Sequence, residues 1–453
     1  MAHDQARKQE RGQRILKVFD DTFGELLKGD AAAIRIKYRK MAGSAFAFFR
    51  GSACLFYTDM EKEQQSSPFI NEETGRIWIH GDLHAENFGT YMSSQGNLIF
   101  NVNDFDEAYV GPFLWDLQRF VASIALIGYG KALSDDQITS LVKAYATSYM
   151  KKIQEVVQAE ENMQHVKRFT LDTAKGPLLK ALQSARAKTR ADLLDGMTEV
   201  EDSERHFAIK GGAEKLDEET AGKVLEAFKG YLKTLPESNP NHHRPDSISI
   251  KDVVSRRGVG IGSAGLPSFN VLLEGTTEAL ENDVVIFLKQ AQEASVAGHI
   301  PNASTAKSHF KHEGHRTVVS ERALQSYSDP WLGWTEIDGK GFLVAEVSPY
   351  AVDLDWSEIN GLAEMKSVVA DLGAATAMMH AAGDDDREHS DVVPFSPEKA
   401  IHKVLKADGE GFIGLMVEFS HEYSTRVRED HAIFVDLFRN AKIPGLMSEE
   451  DDE

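Results

Sequence analysis

Residues 76–108 read RIWIHGDLHAENFGTYMSSQGNLIFNVNDFDEA, and the fold turns on how this stretch is parsed. Two short apolar runs, Ile77-Trp78-Ile79 and Leu98-Ile99-Phe100-Asn101-Val102, have the length and the β-branched or aromatic content of buried strands. Each gives way abruptly to polar residues. His80-Gly81-Asp82-Leu83 and Asn87 follow the first run, and Asn103-Asp104-Phe105-Asp106 follows the second. A strand fixes its own backbone, so the loop leaving it can hold polar groups rigidly at the rim of a core. Asp82 is a carboxylate suited to take a proton or orient a hydroxyl. Asn87, Asp104 and Asp106 are hard oxygen donors, apt for Mg²⁺ shared with phosphate oxygens. Any one of these residues is common in turns; the ordered set at this spacing points to chemistry.

The spacing His80-x-Asp82-Leu83, with Asn87 five positions beyond the Asp and Asp104 after the next strand, resembles the catalytic loop and metal-binding Asp of the protein-kinase-like fold. With Trp115-Asp116-Leu117 added, the segment resembles the aminoglycoside phosphotransferase branch of that superfamily. With Phe48-Phe49-Arg50-Gly51 and Asn87-Phe88-Gly89 also counted, the chain is more similar still to a family of uncharacterised bacterial proteins, the domain-of-unknown-function family 2252. The resemblance runs over most of the chain and is specific at its motifs. It implies Asp82 as base or hydroxyl-orienting carboxylate, His80 as a loop-shaping residue, and Asp116 as the brace of the loop. It also implies Asn87 and Asp104 on the metal, with Asp106 as a further carboxylate, and ATP with Mg²⁺ as cofactors. Arg50 admits two readings, a phosphate contact through its planar fork or a structural ion pair, and both stay open.

The second informative stretch starts at Arg257. Gly260-Ile261-Gly262-Ser263-Ala264-Gly265 matches the Gly-x-Gly-x-x-Gly string that dinucleotide folds and kinases share. A dinucleotide fingerprint opens a helix, whereas here Pro267 and the alternating Phe269, Val271 and Leu273 predict a strand. Strand, glycine turn, strand suits a hairpin whose amides approach phosphates. A third strand, Val284-Val285-Ile286-Phe287-Leu288, delivers Lys289 as the nucleotide-phosphate lysine. Its acidic partner is expected among Glu321, Glu313 and Glu293. Trp334 to Val347 predicts a hairpin turning at Asp338-Gly339, and its end at Glu346 and Val347 is expected to be the hinge whose backbone meets adenine.

With 453 residues, 42% of them hydrophobic, the chain can bury a sizeable core. A formal charge of −21 argues against a nucleic-acid surface as the main partner. The single Cys54, set in an apolar run, reads as a buried thiol and excludes an internal disulfide framework. No apolar run reaches the ~20 residues that span a bilayer, and a cytoplasmic protein is expected. Residues 134–235 read as almost wholly helical, 236–245 as a linker with His242-His243 solvated, and 351–453 as helical again.

The expected fold class is therefore α+β and two-lobed: a small antiparallel β lobe at 246–350, with a large, mainly helical lobe from 1–245 and 351–453. The kinase order is displaced, because the catalytic loop precedes the glycine hairpin. The helix that should lead into that loop sits at 368–381. One circular permutation accounts for all three displacements. The expected function is transfer of the γ-phosphoryl group of ATP to a hydroxyl of a small-molecule acceptor, or alternatively of a protein. Adenylyl transfer and a non-catalytic nucleotide-binding regulator are the alternatives on the same fold, and the sequence leaves the oligomeric state open.

Overall fold

The computed structural model is α+β, and it describes residues 2–63, 67–159, 168–236, 248–257, 265–275, 277–300, 307–383 and 391–446. Gly260, Gly262 and Ser263 of the glycine run, and His242-His243 of the linker, lie outside the described residues. Four helices come first: α1 (Ala2–Gly29), α2 (Ala31–Ala42), α3 (Ala45–Gly51) and α4 (Ala53–Glu63). The apolar stripe of α1, including Ile15, Phe19 and Phe23, is buried, as its helical spacing requires.

Next come four short strands: β1 (Ile77–Ile79), β2 (Phe88–Met92), β3 (Leu98–Val102) and β4 (Tyr109–Gly111). They form two antiparallel ladders, β1 with β4 and β2 with β3. Of these, β1 and β3 were legible as apolar runs, whereas β2 and β4 were not. The helix α5 (Phe113–Gly130) follows and is buried over almost its whole length. Then α6 (Asp135–Gln158) starts with a capping box between Ser134 and Gln137.

The stretch expected to be helical to residue 235 departs from that reading. After α7 (Gly176–Ala187) and α8 (Arg190–Met197), the chain forms a hairpin of β5 (Thr198–Glu201) and β6 (Glu204–Phe207), then β7 (Ala213–Lys215) and α9 (Glu218–Leu232). The strand β7 pairs with β8 (Ile250–Arg256) and so extends the large sheet. That sheet continues through β9 (Ser268–Leu273) and β10 (Val284–Gln290). After α10 (Glu313–Leu324) come its last strands, β11 (Gly333–Ile337) and β12 (Lys340–Glu346). The order is β11-β12-β10-β9-β8-β7, antiparallel throughout. The chain therefore joins the sheet well before residue 246.

Alternation along the strands decides which way Lys289 points. Val284, Ile286 and Leu288 of β10 share a core with Phe269, Val271 and Leu273 of β9 and with Val224, Phe228 and Tyr231 of α9. Val285 and Phe287 belong to clusters on the other side, with Leu194 of α8 and Val318 of α10. With a period of two, Lys289 shares the face of Val285 and Phe287. The chain closes with α11 (Leu362–Ala382), α12 (Pro397–Ala407) and α13 (Gly409–Arg439), which join α1–α6 in one continuous core. Among the described residues no helix is long and apolar enough to cross a membrane.

Candidate active site

The two ladders put the acidic loops side by side. In the β2–β3 hairpin Phe88 faces Val102, and one step outward the Asn103 N–H donates to the Asn87 carbonyl at 3.1 Å. Asn87 and Asp104 therefore leave the same end of one hairpin. Ile79 faces Tyr109 in the β1–β4 ladder, which brings His80 next to the far end of the second loop.

Gly81 joins these loops at φ +80°, and a Cβ there would lie 2.0 Å from the Glu107 carbonyl oxygen, so only glycine fits. The His80 ring fills the gap between the loops. Its Nε2 is 2.9 Å from the Asn103 carbonyl oxygen, its Nδ1 accepts the Asp82 N–H at 3.2 Å, and it packs against Phe105. This is a shaping position, with both ring nitrogens in use.

From below, the buried Asp116 of α5 accepts the amides of His80 at 2.7 Å and Gly81 at 3.0 Å. The brace expected of Asp116 is thus a pair of hydrogen bonds. His380 of α11 is 3.1 Å from the same carboxylate through Nε2, and 2.8 Å from the Tyr149 hydroxyl through Nδ1.

Asp82 is held by a residue that the sequence reading passed over. Arg119 lies one helical turn after Asp116, is fully buried, and donates through Nε to Asp82 Oδ1 at 2.6 Å. A second guanidinium nitrogen is 2.5 Å from the same oxygen and donates to the Phe49 carbonyl at 3.0 Å. The guanidinium stacks over Phe49 at 4.3 Å and Phe56 at 5.2 Å. Burial raises the Asp82 carboxyl to about 6 even though Arg119 pulls it down. The signal was present: an arginine amid Leu114, Trp115, Leu117, Phe120 and Val121 must be buried, and a buried arginine needs an acid.

Asn87 donates through Nδ2 to the Asp82 carbonyl at 3.0 Å, leaving Oδ1 without a protein partner among the described residues. Asp104 has the left-handed φ of 62°, a conformation that Asp tolerates better than most residues. It is exposed and makes no hydrogen bond with the described residues. Desolvation, and then the charge of Asp106, push its carboxyl up. Among the described residues, no group of three or more His, Cys, Asp or Glu side chains forms a metal cage. The Asn87 Oδ1 and the exposed Asp104 carboxylate are hard oxygen donors of the kind a cation takes beside phosphate and water.

Lys289 reaches down from β10 and its Nζ contacts Asp106 Oδ2. Burial alone would lower this ammonium, but Asp106 and Asp104 hold it above its ordinary range. The partner is thus none of the three glutamates expected. Glu313 pairs with Arg316 at 2.7 Å and Glu293 with Lys307 at 2.8 Å. Glu321 is raised to about 8 by burial and by Asp329 and Asp106. Asp106, expected on the metal, is occupied by the lysine. Arg316 of α10 anchors the loop through the carbonyls of Ala108 at 2.7 Å and Asp106 at 2.9 Å.

Gly265 is described and takes φ +81°. At the expected hinge, the Glu346 N–H donates to Asp329 Oδ2 at 3.0 Å and the Val347 N–H to the Val285 carbonyl at 2.8 Å. Both donors are already used, so neither is free to bind a base. The Glu346 side chain is tied to Arg190 at 2.7 Å. Arg50 pairs with Glu86, the acid within His84-Ala85-Glu86-Asn87, which favours the ion-pair reading.

Residues 29–437 match the family described as "uncharacterized protein conserved in bacteria", DUF2252. The chain belongs to the DUF2252 family. No curated protein and no solved structure matches it.

Proposed function

We propose that this DUF2252 protein is an ATP- and Mg²⁺-dependent phosphotransferase of protein-kinase-like fold in circularly permuted order, acting on a hydroxyl of a small-molecule acceptor. The observation that carries the reading is the meeting of Lys289 with the Asp104–Asp106 loop across 183 residues of sequence, beside Asp82 and Asn87. A strand-borne ammonium above two acidic loops is the arrangement that neutralises and aligns a triphosphate.

The permutation is supported by where α11 ends. A Cβ on Gly383, just past that helix, would lie 2.8 Å from Trp78 Cδ1 in β1. The helix thus stops against the strand that enters the catalytic loop, although some 300 residues separate them in the chain.

In this reading, Asp82 Oδ1 is fixed by Arg119, and Oδ2 is left to orient the acceptor hydroxyl and receive its proton. The acceptor oxygen forms a bond to the γ-phosphorus as the bond to the β–γ bridging oxygen breaks, and ADP leaves. Lys289 neutralises phosphate charge, and Asn87 and Asp104 would hold Mg²⁺, which supplies charge neutralisation at the transferring group. Catalysis here is mainly positioning, so this small set suffices.

Incubation with ATP labelled at either the γ or the α position tests the reading. Mg²⁺-dependent label transfer or release from the γ position, lost in Asp82→Asn, is expected. Transfer from the α position would make the protein an adenylyl transferase, and no turnover with intact nucleotide binding would make it a regulator.

A further inference from the structure

The catalytic loop is fastened to α5 at one residue per helical turn. Asp116 takes the amides of His80 and Gly81, Arg119 takes the Asp82 carboxylate, and Ser123 Oγ accepts the Ala85 N–H at 3.1 Å. From the other side Trp356 Nε1 donates to the Ala85 carbonyl at 2.7 Å. The chain on either side of Leu83-His84 is thus pinned.

Within that frame His84 has one ring nitrogen in use and one idle. Its side chain is 3% exposed, and the Phe46 ring meets it in a T-shaped contact with centroids 6.1 Å apart. Nδ1 accepts the Glu86 N–H at 3.2 Å. An amide N–H can only donate, so Nδ1 carries no proton and the ring hydrogen is on Nε2. Burial, reinforced by the positive charges of Arg50 and Arg119, holds the imidazole well below its ordinary range, so the ring is neutral. Nε2 makes no hydrogen bond to another of the described residues. It stands 3.9 Å from Asp82 Oδ2, the carboxylate oxygen that Arg119 leaves free. A buried donor left idle is costly, and 3.9 Å is too long for a direct bond. The gap does fit one oxygen atom placed about 2.8 Å from both groups, with the two contacts near a right angle.

We propose that His84 is a second catalytic residue on the acceptor side: its Nε2–H donates to the attacking hydroxyl oxygen while Asp82 Oδ2 accepts the proton of that same hydroxyl. This role rests on the phosphotransferase reading. The two side chains hold the hydroxyl by one lone pair and by its hydrogen, which leaves the second lone pair to face the γ-phosphorus. On attack the oxygen–phosphorus bond forms, and the β–γ bridging bond breaks with its electron pair leaving on ADP. The hydroxyl proton passes to Asp82, and His84 keeps its own. A neutral ring suits this task, because an imidazolium would pair with Asp82 and weaken it as a base.

Water is the smallest oxygen that fits the gap, so the test is release of the γ-label of ATP to water by full-length His84→Asn and His84→Gln. Asparagine puts an acceptor near the place of Nδ1 and nothing at Nε2, whereas glutamine puts an amide N–H near Nε2 and nothing at Nδ1. His84→Asn is expected to keep the wild-type KM for Mg-ATP and lose roughly a hundredfold in kcat, and His84→Gln to stay within about tenfold of wild type. A residue that merely caps the loop through Nδ1 gives the reverse order. His84→Asn as active as wild type, or less impaired than His84→Gln, overturns the proposal and leaves the phosphotransferase reading standing. A wild type that releases no γ-label sinks that reading and the role of His84 with it. Should either variant fail to fold, NMR of the ring nitrogens in the wild-type protein decides: Nε2 protonated and Nδ1 bare at neutral pH is required, and an Nδ1–H tautomer or an imidazolium overturns the proposal.

Discussion

Two cations meet two carboxylates around this cleft, and their surroundings differ. Arg119 is fully buried, contacts Asp82 through two nitrogens, also holds the Phe49 carbonyl, and is stacked on two rings. Lys289 meets Asp106 with a quarter of its side chain exposed and a third of its partner's. The first pair is part of the floor's construction. The second joins two bodies of structure through a flexible amine that a triphosphate can engage. A buried pair is expensive to break and an exposed one is not, so substitutions should separate the two by stability and by activity.

The largest effect is expected at the floor. Arg119→Met leaves the Asp82 carboxylate buried without its cation and should cost about 3–5 kcal/mol, read from urea unfolding. A loss below about 1 kcal/mol would erase the contrast. Asp82→Asn leaves the fully buried Arg119 without its anion and should cost stability on a similar scale, and in the folded protein it should lower γ-phosphoryl turnover by about 10²–10⁴-fold; a variant as active as wild type would remove Asp82 from the chemistry.

A pH-dependent effect, on the order of a few kcal/mol, is expected at Glu321. Its carboxyl is raised from 4.5 to about 8, so folding favours the protonated form. The stability this gives is complete below pH 4.5 and is lost as pH rises through 8. Glu321→Gln should therefore gain on wild type in unfolding midpoint between pH 5 and pH 9. An advantage that shrank over that interval would show that Glu321 is ionised beside Asp106. The smallest stability effect belongs to Lys289→Met, within about 1 kcal/mol, although its Mg-ATP binding should fall clearly. A Lys289→Met protein as destabilised as Arg119→Met would make the upper pair structural as well.

The same contrast explains what could be read in the sequence. The floor was legible because one hairpin and its neighbour place His80, Asp82, Asn87, Asp104 and Asp106 within 27 consecutive residues, where strand ends and loop chemistry are local properties. Strand β9 after the glycine run, the β11–β12 hairpin with its Asp338-Gly339 turn, and the helical C-terminal region were legible for the same reason. The hairpin of β5 and β6 was not. Glu199, Val200 and Glu201 are exposed, its Asp202-Ser203 turn adopts left-handed φ values of 49° and 68° without glycine, and almost no apolar alternation marks it. The partner of Lys289 was also beyond reach, because it is set by how the sheet docks on the loops. Both expected hinge amides were lost to bonds with Asp329 and Val285, which no local pattern announces. Arg119 was readable and was missed.

The most direct measurement of the central claim is a structure of the full chain with Mg²⁺ and a non-hydrolysable ATP analogue. The account predicts the β- and γ-phosphates within hydrogen-bond reach of Lys289 Nζ, with the metal on Asn87 and Asp104 and the γ-phosphate facing Asp82. A nucleotide bound away from Lys289, or phosphates held with Asp104 uninvolved, would contradict it.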